Sequence, residues 1–395
     1  MRNWTAHRVL RGHHDCACAK ELLAKNDGAR RVLRSHATET KLAGAGCPIV
    51  GHFSIVRDVC FAPDSRKVVT VSNDKTMLVW DLDSAEVTQR FTFNAPVIAA
   101  AFSPDGLQVA AGSGSDVCFW TVGSRDKPVP ATGTTHKGLL ACLTFAPDGA
   151  LLATGSQDKC ILLWDTKSRT HVQTMAGHTG MVACLAFCPT GRTLASGSWD
   201  CNVVVWEVKS GVPSAILKGH NGCDGCTCEV NPLAQAKLAA QCVIRGHAHF
   251  VNSLCWSADA RVLISAGADG AIIFWDVSAN VPLRTISGKA WRSVRLSADG
   301  ALLAAAGAND LVQIWPADPD TGTFDGPLAT LQGHAGAITA LNFSSSGLLA
   351  SASYDSSCIV WTQGVHDGSL GTCSLGTGCL GTGKTKRASL VMPPD

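Results

Sequence analysis

Seven tryptophans close one recurring kind of segment, and no other feature of the 395-residue chain restricts its fold as strongly. The segments are TMLVW ending at Trp80, SDVCFW at Trp120, CILLW at Trp164, NVVVW at Trp206, AIIFW at Trp275, LVQIW at Trp315 and SCIVW at Trp361. Their spacings are 40, 44, 42, 69, 40 and 46 residues. Asp81, Asp165, Glu207 and Asp276 follow four of them. Upstream of each Trp lies a second apolar run, such as LLATGSQD or TLASGSWD, and before that a third, such as VRDVCFAPD or LACLTFAPDG. A fourth run precedes Gly-His pairs, as in SAILKGH and LATLQGH. A period of about 40 residues marks a repeat architecture.

Each unit reads as four short strands rich in β-branched residues, separated by Pro, Gly, Asp and Ser turns. Helical periodicity is nearly absent. A lone meander leaves both faces uncovered, whereas radially stacked sheets cover one another, which predicts a β-propeller. GH, PDG, SxD and WD recur in that order over residues 51–362, about four fifths of the chain. In these motifs the chain resembles the WD-repeat (WD40) family. The resemblance implies an all-β, seven-bladed propeller with four antiparallel strands per blade.

The offsets agree between blades. From the His of each GH to the third apolar residue of the next strand is nine residues: His52 to Phe61, His136 to Phe145, His178 to Phe187, His247 to Trp256, His334 to Phe343. From turn Asp to Trp is six: Asp74 to Trp80, Asp158 to Trp164, Asp200 to Trp206, Asp269 to Trp275, Asp355 to Trp361. Thr70, Thr154, Ser196, Ser265 and Ser351 stand four before the Asp. In the family such His, Ser/Thr, Asp and Trp residues form a hydrogen-bonded tetrad, which would pair polar groups that are costly to bury alone. His, Asp and Ser also suggest a hydrolase triad, but five near-identical copies favour a structural role, and no catalytic residue is assigned. Blade two (91–134) has Phe93 and Gly114 at the His and Asp positions; blade six (285–330) has Ser287, Ala305 and Asn309 at the His, Ser/Thr and Asp positions.

The seventh blade needs a fourth strand, which the family takes from the chain start. TAHRVLRGH (5–13) and GCPIVGH (46–52) both qualify. This divides the chain into residues 1–50, a closing strand plus an insert; 51–365, the propeller, with a second insert at 221–245; and 366–395, a Gly/Thr/Ser-rich tail expected to be disordered. The inserts are expected as surface loops, with a short helix at 19–26. Cys223, Cys226, Cys228 and Cys242 in the second insert hint at zinc. No second CxxC follows at ribbon spacing, so a Cys-rich loop is preferred. Cys16, Cys18, His13 and His14 make a weaker set. The tail string GCLGTGKT (378–385) matches a phosphate loop but lacks the flanking strand and helix, and reads as chance. KRAS (386–389) is a candidate kinase site at Ser389. No cofactor or metal is assigned.

There are 18 Cys, but no leader-like apolar segment, and no run approaches the ~18 apolar residues of a membrane span. The expectation is an intracellular protein, cytoplasmic or nuclear. Nine Cys (60, 118, 142, 160, 184, 188, 201, 255 and 358) fall in apolar runs and read as small buried hydrophobes. Lys+Arg 33 against Asp+Glu 31 disfavours nucleic acid as partner.

Function then rests on the faces of the disc. In the family, residues three and five after the GH His, and the one before the turn Asp, point to the top face. By position these are Ile55, Arg57 and Asn73; Leu139, Ala141 and Gln157; Met181, Ala183 and Trp199; Phe250, Asn252 and Ala268; Ala337, Thr339 and Tyr354; with Arg292 from blade six. Aromatic residues, Met and Arg suit protein interfaces. A non-enzymatic scaffold for protein or peptide partners is the leading expectation, with no small-molecule substrate and no membrane insertion. WDTK (164–167) and WEVK (206–209) resemble a motif of cullin-based ubiquitin ligase substrate receptors, which is the alternative. An RNA-processing, ribosome-assembly, ciliary or trafficking subunit is a further one.

Overall fold

The computed structural model describes residues 3–10, 51–124, 126–217, 247–317 and 326–364. The two inserts with their Cys and His residues, the 19–26 segment, the phosphate-loop-like string and Ser389 lie outside the described residues.

All regular structure among the described residues is β, in seven four-stranded antiparallel sheets. β1 (Asn3–Leu10) stands apart from the first blade. Blade one is β2 (Val56–Phe61), β3 (Lys67–Ser72), β4 (Thr76–Asp81) and β5 (Val87–Thr92). Blade two is β6 (Val97–Phe102), β7 (Gln108–Ser113), β8 (Asp116–Thr121) and the short β9 (Val129–Pro130). Blade three is β10 (Leu140–Phe145), β11 (Leu151–Ser156), β12 (Cys160–Asp165) and β13 (Thr170–Ala176). Blade four is β14 (Val182–Phe187), β15 (Thr193–Ser198), β16 (Val203–Glu207) and β17 (Pro213–Leu217). Blade five is β18 (Val251–Trp256), β19 (Val262–Gly267), β20 (Ala271–Asp276) and β21 (Val281–Ser287). Blade six is β22 (Trp291–Leu296), β23 (Leu302–Gly307), β24 (Leu311–Pro316) and β25 (Ala329–Gln332). Blade seven holds β26 (Ile338–Phe343), β27 (Leu349–Ser353) and β28 (Cys358–Gly364). Its fourth strand is β1, which pairs antiparallel with β28 from Asn3↔Gly364 to Leu10↔Cys358. Of the two closing candidates, the first therefore occupies the edge. The second insert falls between β17 and β18, at a blade boundary.

The core is divided. Seven apolar clusters each join two neighbouring blades, including the pair formed by blades one and seven. The repeated Trp is the largest side chain in these layers. Trp164, Trp206, Trp275 and Trp361 are fully buried, because each pairs opposite an apolar residue of the preceding strand and packs in the layer shared with the preceding blade.

Every innermost strand carries a β-bulge between its first and third residues. A bulge inserts one unpaired residue and bends the strand. The third residue then meets the next blade. Ser253 Oγ accepts from Val294 N at 3.1 Å, Ser293 Oγ from Leu341 N at 3.0 Å, and Asp58 Oδ2 from Ala100 N at 3.1 Å. Cys142 and Cys184 take the same place. A Cβ on Gly155 or Gly197 would come within 2.7 or 2.6 Å of their Sγ atoms, so the facing strand needs glycine there. Seven of the nine strand-region cysteines lie on strands; Cys188 and Cys201 sit in turns, Cys201 with φ 67°. Blade seven meets blade one through Thr339 Oγ1 donating to Val56 O (2.6 Å) and Phe61 N donating to Asn342 Oδ1 (3.2 Å).

No helix among the described residues is long and apolar enough to cross a membrane. Without β1, β28 is an open edge. Deleting residues 1–10 is expected to lower the urea midpoint and to promote self-association. Equilibrium denaturation with light scattering checks this, and an unchanged midpoint would deny β1 a closing role.

Candidate functional site

The two kinds of loop on one face of the disc, called the top face here, are tied together in five blades by an aspartate. Its Oδ1 accepts from the backbone N–H two residues on: Thr76, Cys160, Asn202, Ala271 and Ser357, at 2.9–3.0 Å. The residue between them is left-handed each time (Lys75, Lys159, Cys201, Gly270, Ser356), and the carboxylate supports that turn. Oδ2 reaches the incoming loop. There it accepts from the N–H of the residue after the histidine: Phe53, Lys137, Thr179, Ala248 and Ala335, at 2.8–2.9 Å.

The structure brings each His, Ser/Thr, Asp and Trp of these blades together. His Nδ1 lies 3.1, 2.8, 2.8, 3.0 and 3.0 Å from Asp74, Asp158, Asp200, Asp269 and Asp355. His Nε2 lies 2.7–2.9 Å from the hydroxyl of Thr70, Thr154, Ser196, Ser265 or Ser351. The same hydroxyl accepts from the indole N–H of Trp80, Trp164, Trp206, Trp275 or Trp361 at 2.7–2.9 Å. One tautomer satisfies every group: Nδ1–H donates to Asp, and Nε2 accepts the hydroxyl proton.

Burial by itself raises the carboxyl pKa of all five Asp. Hydrogen bonds from the His ring and from backbone N–H groups outweigh it and hold each below 3.8. Burial also lowers His136 against the pull of Asp158, which favours the neutral ring. A nucleophilic Ser needs an exposed oxygen, but Ser196, Ser265 and Ser351 are fully buried.

Blades two and six lack the network. In blade two the turn is one residue shorter: Ser113 pairs directly with Asp116, and Gly114 (φ 64°) donates to Pro96 O at 3.3 Å. Trp120 N–H goes instead to Ser124 O at 3.3 Å, and its ring packs on Phe91 at 5.1 Å. In blade six Ala305 holds the hydroxyl position, and buried Trp315 Nε1 has no partner among the described residues.

The top-face residues are brought together by a recurring backbone bond. Asn73, Gln157, Trp199, Ala268 and Tyr354 each donate N–H to the carbonyl of Ile55, Leu139, Met181, Phe250 or Ala337, at 2.8–3.1 Å. Leu139, Trp199 and Tyr354 are exposed large side chains. Trp199 stacks on Phe250 across the blade four–five boundary at 4.6 Å and 13°. Arg292 lies 5.0 Å over the Tyr354 ring and donates to its hydroxyl at 2.9 Å. Arg57 Nε donates to Asn73 Oδ1 at 2.8 Å, and Asn252 Nδ2 to Trp291 O at 2.7 Å. Ala141, Ala183 and Thr339 are half-buried on the same strand starts, Thr339 bonded across to blade one.

A cavity of about 410 Å³ opens at the other end of the channel, lined by residues of all seven innermost strands. Asp58 and Arg295 are its charged groups. The motif spacing does not reveal them; the available signal is a charge inside an apolar run, VRDVCF and WRSVRL. Burial raises the Asp58 carboxyl to about 6, although backbone N–H groups and Arg295 oppose it. Arg295 Nη1 donates to Val294 O at 2.8 Å and Ser253 Oγ at 2.9 Å.

The family profile described as WD domain, G-beta repeat matches residues 46–81, 87–121, 130–165, 169–207, 240–276 and 325–362, more than half of the chain. The unmatched blade is the sixth. Among curated relatives, a guanine nucleotide-binding protein subunit beta from Arabidopsis thaliana is 32% identical over 123 residues, covering 29% of this chain and 33% of the relative. WD repeat-containing protein 18 from Danio rerio is 30% identical over 125 residues, covering 29% and 28%. Small ribosomal subunit protein RACK1 from Candida albicans is 25% identical over 168 residues, covering 32% and 53%. The chain thus spans between about a quarter and a half of the length of these relatives.

Ala305→Ser is expected to supply Trp315 with an acceptor and to stabilise the protein by about 1 kcal/mol, read as a higher urea midpoint. A second test concerns Asp58. Its carboxyl titrates near 3.8 unfolded and about 6 folded, so the folded state holds the proton more tightly. That contribution is lost as the pH rises through 6. Asp58→Asn should therefore gain stability over the wild type above pH 6, on the order of 1 kcal/mol because the side chain is only half-buried and solvent screening weakens the effect. Midpoints measured below and above pH 6 check this; a pH-independent difference would contradict it.

Proposed function

The chain belongs to the WD-repeat family, and from that premise we propose that it is a non-enzymatic scaffold whose top face docks protein or peptide partners. The observation that carries this reading is the exposed aromatic set on a rigid rim. Trp199 keeps 41% of its surface exposed, while the repeat Trp206 in the same blade keeps 1%. Holding an indole in water forgoes the burial that every repeat Trp enjoys, and its stack on Phe250 fixes it without covering it. The rim beneath is stiff, because each tetrad joins two loops by two hydrogen bonds to one carboxylate, with a third inside the turn and a fourth between the His and the strand behind it. Two of the relatives carry names that place them in larger assemblies, a subunit beta and a small ribosomal subunit protein. Assembly of a multiprotein complex inside the cell is the role this supports.

A second reading, substrate receptor of a cullin-based ubiquitin ligase, has an observation of its own. Lys167 and Lys209 are exposed after their WDT and WEV segments, on the face away from Trp199. The two readings therefore use opposite faces.

Trp199→Ala/Phe250→Ala in the full chain should keep the wild-type melting behaviour and lose the main partners in affinity purification with mass spectrometry. An unchanged partner set would reject the top face. Recovery of the ligase's own propeller adaptor, insensitive to this double substitution, would favour the second reading.

A further inference from the structure

We propose that the channel mouth on the top face takes an acidic peptide segment, with an apolar or aromatic side chain on Trp199 and carboxylates on Arg57 and Arg292. This rests on the top-face reading above and adds the chemistry of the partner.

Arg57 and Arg292 are the second residues of β2 and β22, the unpaired residues of the two bulges. A bulge re-aims its extra residue away from the ordinary alternation of the strand. Both guanidinium groups emerge at the turns of the top face, where neutral partners hold them. Asn73 Oδ1 takes Nε of Arg57, and the Tyr354 hydroxyl and ring take Arg292.

Neither arginine has a carboxylate within ion-pair distance among the described residues. Two positioned and uncompensated guanidinium forks are what a carboxylate-bearing ligand needs, because the fork binds carboxylate through parallel N–H donors. A group already oriented loses little side-chain freedom on binding.

The surface is also polarised around the ring. Blades four and five contribute the Trp199–Phe250 stack, and blades six to one contribute the two arginines on either side of Tyr354. A peptide laid across this arc meets an aromatic platform first and positive charge after it. Nucleic acid fits less well. A phosphate backbone calls for a spaced series of cations, and the whole chain carries a formal charge of only +2.

The test is selection of a random peptide display library on the full chain, then fluorescence anisotropy of the enriched peptides. Expected are peptides combining Asp or Glu with an apolar or aromatic residue, whose affinity falls as salt is raised. Binding should weaken about tenfold in R57Q/R292Q and less in R57K/R292K, with melting curves showing both variants folded. Enriched peptides that are neutral or basic, insensitive to the arginine changes but lost on Trp199→Ala/Phe250→Ala, would overturn this proposal and leave the docking face standing. Peptides insensitive to both sets would overturn both. Failure to enrich any peptide, or tight binding of a random single-stranded RNA that depends on Arg57 and Arg292, would also overturn the acidic-peptide assignment.

Discussion

One carboxylate in each of five blades accepts hydrogen bonds from two loops at once, and the order of the top face follows from it. Asp200 receives Asn202 N–H from its own turn, then Thr179 N–H and the His178 ring from the incoming loop. Behind it the chain of donors continues through Ser196 to Trp206, which lies in the apolar layer between blades three and four. A surface turn is thereby coupled to the core by groups that are each satisfied. The left-handed residue after each Asp is tolerated for the same reason, because the carboxylate over-determines the turn.

Blades two and six test how far the ring depends on that device. Both keep four strands and an inter-blade apolar layer, yet neither has the His–Asp pair. Sheet stacking alone therefore suffices to place a blade when its neighbours are firm. The difference appears in the indole: Trp120 borrows a backbone carbonyl, while Trp315 has no acceptor among the described residues. The same blade six is the one the family profile passes over.

Much of this was legible in the residues. The nine- and six-residue offsets located five histidines, five aspartates and five tryptophans that meet in space, because strand length and turn length are conserved within the repeat of this chain. Closure was not legible, since RVLRGH and PIVGH present similar runs, and only the pairing of Ala6 with Trp361 separates them. The bulges were hidden too, because an extra unpaired residue leaves no mark in an apolar run. That is why Arg57 and Arg292 were found as top-face residues by position, while their lack of counter-ions emerged only from the geometry. Counting back six from Trp120 reached Gly114, because a turn shortened by one residue cannot be seen from its tryptophan.

The pairing of β1 with β28 joins Asn3 to Gly364. Order of synthesis acts on this contact. The strand made first must remain unpaired until the last blade leaves the ribosome, an interval on the order of tens of seconds at ordinary elongation rates. During that time six blades can stack as they emerge, but the ring is an open arc with a sheet exposed at each end. Such a nascent arc invites edge pairing with another chain, and the circular design makes completion of the fold a single late event with a very long loop to close.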